Sequence, residues 1–198
     1  ADRLTYLERG RDCAKLTIPT LLPDEGINSS TRFPTPYQGV GARGVNNLAS
    51  ALLLSLLPPN APFFRLVIDD QALGQIENFS EIKAEIEQSL SKIERSVMSE
   101  IETSASRVSV FEALKHLIVV GNVLVYMPEK GSMRIFHLDR YCVQRDAMGN
   151  PLMILTKECM SPSVLSEEML ALVASSEMSV DKNVDLYTCI HYLPNDKI

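Results

Sequence analysis

Gly39, Gly41 and Gly44 form the pattern in this sequence that comes nearest to a cofactor-binding motif. The segment reads Gly-Val-Gly-Ala-Arg-Gly, and in dinucleotide sites the glycines of GxGxxG let the backbone approach a pyrophosphate at a helix N-terminus. The preceding residues, Thr35–Gln38, are a proline-containing loop, and Ala61–Phe64, about 20 positions on, include no acid to hold a ribose. A nucleotide-dependent enzyme using these glycines is therefore only the alternative function. The structural interpretation is a loop that turns sharply into a closely packed helix.

Other side chains that could do chemistry are scattered along the chain. Cys189 and His191 would share a face of a strand and could bind a metal, but no second pair stands nearby and core packing is the simpler interpretation. The adjacent carboxylates Asp69-Asp70 and Glu167-Glu168 could act as general acid and base, yet both fall at ordinary solvent-facing places. We therefore expect no catalytic residue, no cofactor and no metal site, and so no enzyme.

The composition excludes several classes of protein. Of 198 residues, 45% are hydrophobic and 22% are charged, which suits a globular chain with a core. With 19 basic against 25 acidic residues the net charge is -6, which argues against a nucleic-acid coat or a polybasic membrane binder. No apolar run approaches the roughly 20 residues of a spanning helix. Four cysteines without a CxxC pair are too few for a disulfide scaffold.

Hydrophobic spacing predicts four helices in residues 1–120. They are Leu4–Leu16, Val40–Leu57, Ser80–Ser104 and Ser109–Val120. The third carries one apolar seam at spacings of three and four: Ile82, Ile86, Leu90, Ile93, Val97 and Ile101. We expect this seam to be buried, and also the leucine-rich second half of the second helix. Ser80 is expected to cap the third helix, and Ser109-Val-Phe-Glu112 to open the fourth as a capping box.

Residues 121–198 are predicted to be mainly short strands with one short helix from Ser166 to about Ser175. The predicted strands are Val123–Met127, Met133–Leu138, Tyr141–Arg145, Leu152–Thr156 and Val184–Tyr192, with an earlier one at Phe63–Asp69. Asp146–Pro151 is expected to form a hairpin with a Gly-Asn turn. Helices followed by a meander of antiparallel strands favour an α+β fold over a doubly wound sheet.

The ends of the sequence suggest a piece of a longer protein. The chain begins Ala-Asp-Arg without an initiator methionine and without a signal peptide. It ends in a predicted strand and a turn with no return strand. We expect both ends to be cut.

Four separate motifs resemble the N-terminal region of portal proteins, the head-to-tail connectors of short-tailed double-stranded DNA phages. They are Gln38–Ser50 with the leucine-rich helix and Pro58 that follow, Cys13–Pro19, Phe111–Tyr126 and Tyr141–Asn150. They occur in the family's order across about Leu4–Tyr192, whereas Pro128–Met133 and Met160–Asp185 match poorly. The resemblance is specific, because none of the four is a general nucleotide or metal pattern.

The resemblance implies a structural subunit of a ring, usually dodecameric, at one capsid vertex of the virion, assembled in the host cytoplasm. DNA would be packaged through the ring by terminase and ejected through it into the tail. Residues 1–198 would supply most of the peripheral wing, and the stem, clip, tunnel loop and crown would lie outside them. The implied partners are other copies of the chain, the major capsid protein and scaffold, terminase, a tail adaptor and the passing double-stranded DNA, with no membrane.

Polar residues in two places are candidates for inter-subunit or structural hydrogen bonds. Arg43, Asn46 and Asn47 lie in the first turns of the glycine-led helix, and Arg140, Gln144 and Arg145 lie around the hairpin. For each, a solvated surface is the open alternative. The long arm Asp24–Gln38 and a charged face of the third helix are candidate neighbour contacts too, although a solvated surface is the simpler interpretation of that face. Its residues are Lys83, Glu87, Glu94 and Arg95.

Overall fold

The computed structural model describes residues 3–24, 26, 30–59, 61–67, 79–129, 131–167, 169–170 and 183–192, with the backbone alone for residues 79–82. Within these residues four α-helices precede five β-strands. This mixture of helices and antiparallel strands confirms the α+β fold class. Contacts divide the chain into two units: Glu8–Ile135, and a second that joins the first seven residues to the chain from Phe136 onward.

The helices lie close to their predicted positions. They are α1 Arg3–Leu16, α2 Val40–Leu56, α3 Phe79–Thr103 and α4 Ser106–Val120. Gly121 ends α4 in the left-handed conformation at φ 81°, and its N–H donates to the Leu117 carbonyl at 3.0 Å, the usual role of a glycine after a helix. The described residues of the predicted arm Asp24–Gln38 form neither helix nor strand.

The core of the first unit lies where α2 and the later part of α1 meet α4. Its buried apolar side chains are Ala14, Leu21, Leu22, Val45, Ala49, Ala113, Leu114 and Val119. Glycine allows close approach at Gly10, where a Cβ would lie 2.9 Å from the Leu22 side chain and 3.1 Å from that of Val120. The packing is therefore set by small residues at the points of contact.

The second half of α2 is more exposed than its leucine content predicts. Leu54 is 58% exposed and Leu56 is 54% exposed, and Leu48 in the first half is 49% exposed. Because α2 packs against α4 along one side, a segment that is apolar all round must leave leucines at the surface. The prediction that this segment is deeply buried is wrong.

The apolar seam of α3 is not a buried core either. None of the described α3 side chains, residues 83–103, is buried, and Ile86, Leu90 and Ile101 are half-buried. Ile93 is 50% exposed and Val97 is 39% exposed. The periodicity correctly predicts an amphipathic helix, but it does not show that a covering surface exists within this chain.

Both predicted serine caps are wrong. Helix α3 already includes Phe79, so Ser80 lies inside it. Helix α4 begins at Ser106 after the N-cap residue Ala105, so Ser109 lies one turn inside the helix and donates its hydroxyl to the Met133 carbonyl at 3.2 Å. A Ser-x-x-Glu spacing also fits an interior turn, and here the bend between α3 and α4 fixes the start.

The strands form a two-stranded and a three-stranded sheet in the order β1-β2 and β3-β4-β5. They are β1 Leu124–Tyr126, β2 Arg134–Phe136, β3 Tyr141–Arg145, β4 Pro151–Met160 and β5 Val184–His191. Strand β5 pairs antiparallel with β4 over its whole length, so the prediction of a final strand without a partner is wrong. Residues 62–67 join neither sheet, so the strand predicted there is absent, and Asp69 lies outside the described residues.

The hairpin between β3 and β4 is confirmed, with a different turn from the one predicted. The Gly149 N–H donates to the Asp146 carbonyl at 3.1 Å, and Gly149 has φ 89°, so the turn spans Asp146–Gly149. The Asp146 carboxylate accepts the backbone N–H groups of Met148 and Asn150 at 2.9 and 2.8 Å. These hydrogen bonds, with that of the Asn150 side chain first among them, hold the pKa of Asp146 below its ordinary value.

The three-stranded sheet of the second unit is buried mainly at the start of β3. Tyr141 and Thr156, which are opposite each other in the β3–β4 register, are buried, as is Phe136. The Ser166 hydroxyl accepts the Met169 N–H at 3.4 Å, as expected at the start of the predicted helix, whose later part lies outside the described residues. No helix in the described ranges is long and apolar enough to cross a membrane.

Candidate functional site

At the second glycine of the motif, Gly41, the space that a side chain would occupy is taken by residues of the same chain. A Cβ on Gly41 would lie 2.6 Å from the Leu16 carbonyl oxygen and 3.2 Å from the Thr17 methyl group, whereas Gly39 and Gly44 have nothing within 4 Å. Residues 31–36, which precede the motif, form no strand. In a dinucleotide site the open side of such a glycine faces the pyrophosphate, and here it faces the end of α1. The geometry favours the structural interpretation of close packing.

Cys189 and His191 lie together at the surface. Their Sγ and Nε2 atoms are 3.1 Å apart, and both side chains are exposed, so the interpretation as core packing is wrong. The shared strand face brings them together, as the spacing of two predicts. The pair offers two donor atoms, whereas a structural zinc site uses four ligands, so these two residues alone do not complete a metal site.

The candidate carboxylate pairs supply no described catalytic arrangement. Asp69-Asp70 lies outside the described residues, and of Glu167-Glu168 the structure describes the exposed side chain of Glu167 alone. The best-defined carboxylate pairing is instead between Asp185 and Lys157, whose Oδ2 and Nζ atoms are 2.6 Å apart across β4 and β5. The hydrogen bond between them lowers the pKa of Asp185 and raises that of Lys157. An exposed ion pair of this kind stabilises the sheet edge rather than performing acid–base chemistry.

Arg43, Asn46 and Asn47 lie on the exposed side of α2, as the sequence predicts for surface polar residues. All three side chains are exposed. The Arg43 backbone N–H donates to the Gly39 carbonyl at 3.0 Å in the first turn of the helix. Arg43 and Asn46 are neighbours at a spacing of three, and Asn47 lies about 100° around the helix from Asn46.

Arg140, Gln144 and Arg145 are exposed around β3. Arg140 pairs with its neighbour Asp139 at 3.6 Å, and Arg145 donates to the Gly149 carbonyl of the hairpin turn at 2.8 Å. Both arginines therefore have local structural bonds, while Gln144 presents its amide on the exposed face of the sheet. The described contacts support a structural role for the two arginines.

A groove of about 560 Å³ lies between α3 and the extended residues 65–67. The Leu66 backbone N–H donates to the Glu94 carboxylate at 2.6 Å and ties the two walls together. Arg65, Lys83 and Arg95 line the groove with Glu87 and Glu94. The four residues predicted as a charged face of α3 line this groove, with Glu87 and Arg95 exposed and Lys83 and Glu94 half-buried.

The most informative contact that the sequence did not indicate is made by Arg107. Its guanidinium donates to the carbonyl of Leu57, and to that of Pro58 at 3.3 Å. These are carbonyl groups at the C-terminus of α2, where helices leave acceptors without intrahelical partners. An arginine near the start of the next-but-one helix is a weak sequence signal, because its partner lies 50 residues away.

A second contact of this kind fixes the start of α1 within its own unit. Arg3 donates to the Leu138 carbonyl at 2.7 Å. Burial raises the pKa of the nearby Tyr141, and the positive charges of Arg3 and Arg145 partly offset that rise. The guanidinium groups of Arg3 and Arg107 therefore both bind backbone carbonyls of segments remote in sequence.

A family model and the curated proteins similar to this chain assign it to the same family. The family model described as bacteriophage head to tail connecting protein matches residues 1–197. The chain is 42% identical over 202 residues to the portal protein of Escherichia phage T7, a match that covers 98% of this chain and 37% of that relative. It is 42% identical over 196 residues to the portal protein of Enterobacteria phage T3, covering 96% of this chain and 36% of that relative.

A more distant relative has the same name. The portal protein of Enterobacteria phage SP6 is 31% identical over 194 residues, with 96% of this chain and 37% of that relative covered. The chain therefore spans a little over a third of the length of the curated relatives it matches.

Proposed function

The chain belongs to the family of bacteriophage head-to-tail connecting proteins, and we propose that it is part of a portal subunit: a structural component of the ring at one capsid vertex through which DNA enters and leaves the virion. The observation that carries the proposal is the family match over residues 1–197 together with 42% identity to two portal proteins. Over so long an alignment, identity of this degree extends through both units of the fold.

The proposed role is structural rather than catalytic. The family is one of connecting proteins, and the glycine motif, which was the strongest candidate for an enzyme site, has Gly41 packed against the Leu16 carbonyl. The chain is acidic, with a net charge of -6. Because non-specific DNA affinity comes from neutralised phosphates, an acidic wing would bind passing DNA only weakly.

The proposed partners follow from the same assignment. They are further copies of the chain in a ring, which we expect to be dodecameric, the major capsid protein and scaffold, terminase and a tail adaptor. Residues 1–198 would form the wing of each subunit, and the assembled protein would be a virion component built in the host cytoplasm. The arm Asp24–Gln38 is proposed to contact a neighbour.

The six polar candidates are divided between two proposed roles. Arg43, Asn46 and Asn47, which are exposed together on α2, are proposed as subunit contacts. Arg140 and Arg145 are proposed as structural, since each already bonds a neighbouring group. Gln144 is proposed as a contact residue of the exposed sheet face.

Electron microscopy of the full-length protein tests the proposed function. Closed rings with a central channel, and a mass that corresponds to an integral number of subunits, are expected. Uniform monomers across micromolar concentrations would contradict the portal assignment. Titration calorimetry of the unaltered protein with ATP and NAD tests the alternative, and micromolar binding would favour the nucleotide-dependent enzyme.

A further inference from the structure

We propose that the apolar seam of α3 packs lengthwise against α2 of the next copy of the chain in the ring. The inference rests on the proposed function and identifies which surfaces meet. The seam is defined by the described residues Ile86, Leu90, Ile93, Val97 and Ile101. The receiving surface is the exposed stripe of α2, defined by Val40, Gly44, Asn47, Ala51 and Leu54.

The middle of the seam is accessible: Ile93 is 50% exposed and Val97 is 39% exposed. Successive residues of a helix are about 100° apart, so the groove residues Ala84, Gln88 and Arg95 lie on a different side of α3 from Ile93 and Val97, whereas Lys83 and Glu94 adjoin the edge of the seam. The segment that packs on the groove therefore leaves Ile93 and Val97 available to another surface.

The stripe of α2 matches the seam in shape and length. All five stripe residues are exposed, and two of them, Gly44 and Ala51, are small, which leaves hollows for the large side chains of the seam. At about 1.5 Å per residue, the stripe from Val40 to Leu54 is about 21 Å long and the seam from Ile86 to Ile101 is about 22 Å long.

Charge determines which helix surfaces of two copies can pack together. Helix α3 carries six acidic and three basic residues, a net charge of -3, so two α3 helices from different copies would repel each other. Helix α2 carries one charged residue, Arg43, which is exposed beside the stripe. An acidic helix and a helix whose single charge is positive, both on one unit, form a heterologous contact, the kind that closes into a ring.

The ends of the two helices set their direction. Arg43 lies at the N-terminal end of α2, and Glu100 is exposed beside the seam at the C-terminal end of α3. An antiparallel arrangement brings these two charges together and also opposes the two helix dipoles. In the register that aligns the two surfaces, Gly44 faces Val97 and Ala51 faces Leu90.

A disulfide cross-link in the full-length protein tests this register. Every native cysteine is replaced by serine, and cysteines are introduced as Gly44→Cys with Val97→Cys. Because a disulfide needs Cα atoms within about 7 Å, mild oxidation is expected to produce a ladder of covalent multimers up to the full ring. The control pair, Gly44→Cys with Leu90→Cys, is displaced by about 10 Å along the helix and is expected to give at least tenfold less cross-linking.

A matched pair of charge variants tests the seam independently. Ile93→Glu and Ser96→Glu each add one negative charge to α3, but Ser96 is exposed and off the seam. Ile93→Glu is expected to raise the concentration needed for ring assembly at least tenfold, measured by mass photometry, while Ser96→Glu changes it less than twofold. Circular dichroism of both variants checks that α3 is retained.

The outcomes separate this inference from the proposed function. Rings of the unaltered protein together with intersubunit cross-links in the predicted register support both. Rings that form while the predicted pair cross-links only within one subunit, or not at all, overturn the inference and show that another segment covers the seam. Absence of rings from the unaltered protein overturns the proposed function, and the inference with it.

Discussion

Replacing Gly41 by alanine is expected to destabilise the chain, whereas the same replacement at Gly44 is expected to stabilise it. Both glycines lie in α2, where alanine is favoured over glycine by about 0.5–1 kcal/mol in a helix interior. At Gly44 a new methyl group would have no atom within 4 Å, so the higher helix propensity of alanine should raise the free energy of unfolding. At Gly41 the methyl carbon would lie 2.6 Å from the Leu16 carbonyl oxygen, and the backbone of one segment must move.

The magnitude follows from these distances. Overpacking of this kind costs about 1–3 kcal/mol, and Gly41 lies in the first turn of α2, where the gain in helix propensity is small. We therefore expect a net loss of about 1–2 kcal/mol for Gly41→Ala and a gain of about 0.5–1 kcal/mol for Gly44→Ala. For a chain of 198 residues, each kcal/mol moves the Tm by about 2–4 °C.

Urea denaturation followed by circular dichroism at the helix band measures the free energy of unfolding of the 198-residue chain and both variants. The two variants should move in opposite directions from the parent, with unchanged m-values. If Gly41→Ala proves as stable as Gly44→Ala, the close approach of α2 to the end of α1 is not a determinant of this fold. Equal losses in both would show that the glycines are needed for something other than packing.

Three further results are expected. Arg107→Leu should lower the free energy of unfolding by about 1–3 kcal/mol, because the carbonyl of Leu57 loses a charged donor, and Arg107→Lys should recover part of it in the same denaturation assay. The Asp185 carboxyl, titrated by NMR, should have a pKa below its ordinary value, and this pKa should rise in Lys157→Met. Because the pKa is lowered in the folded state, the ionised carboxylate stabilises the fold at neutral pH. This stabilisation is lost as the pH falls through the folded-state pKa. The 198-residue chain should bind duplex DNA at the weak non-specific background even near about 50 mM salt, and sub-micromolar, steeply salt-dependent binding in fluorescence anisotropy would reveal a basic surface.

The approximate positions of the four described helices and of β1–β5 follow from local sequence. Helix α2 begins after Gly39 and ends before two prolines, and the αL glycine after α4 is Gly121. Such signals act through neighbouring residues, so they can be found without knowing the rest of the fold. The same holds for the hairpin, whose turn is closed by Asp146 and Gly149.

Which side chains are buried could not be predicted from local sequence. The spacing of the α3 seam shows that Leu90 and Ile93 share a side of the helix, but what covers that side depends on residues elsewhere. The prediction of burial assumed a partner within the chain, and the structure leaves Ile93 half exposed. The same assumption misplaced Cys189 and His191, which an apolar strand sequence assigns to a core and the sheet instead turns toward solvent.

The sequence by itself determined the family, the α+β class, the order of the elements and the shared face of Cys189 and His191, because each depends on residue type and on spacing along one segment. Only the tertiary structure decided which glycine of the motif is indispensable, which leucines reach the surface and which carbonyls Arg107 caps. Those outcomes depend on distances of a few ångströms between segments remote in sequence, and no local pattern encodes them.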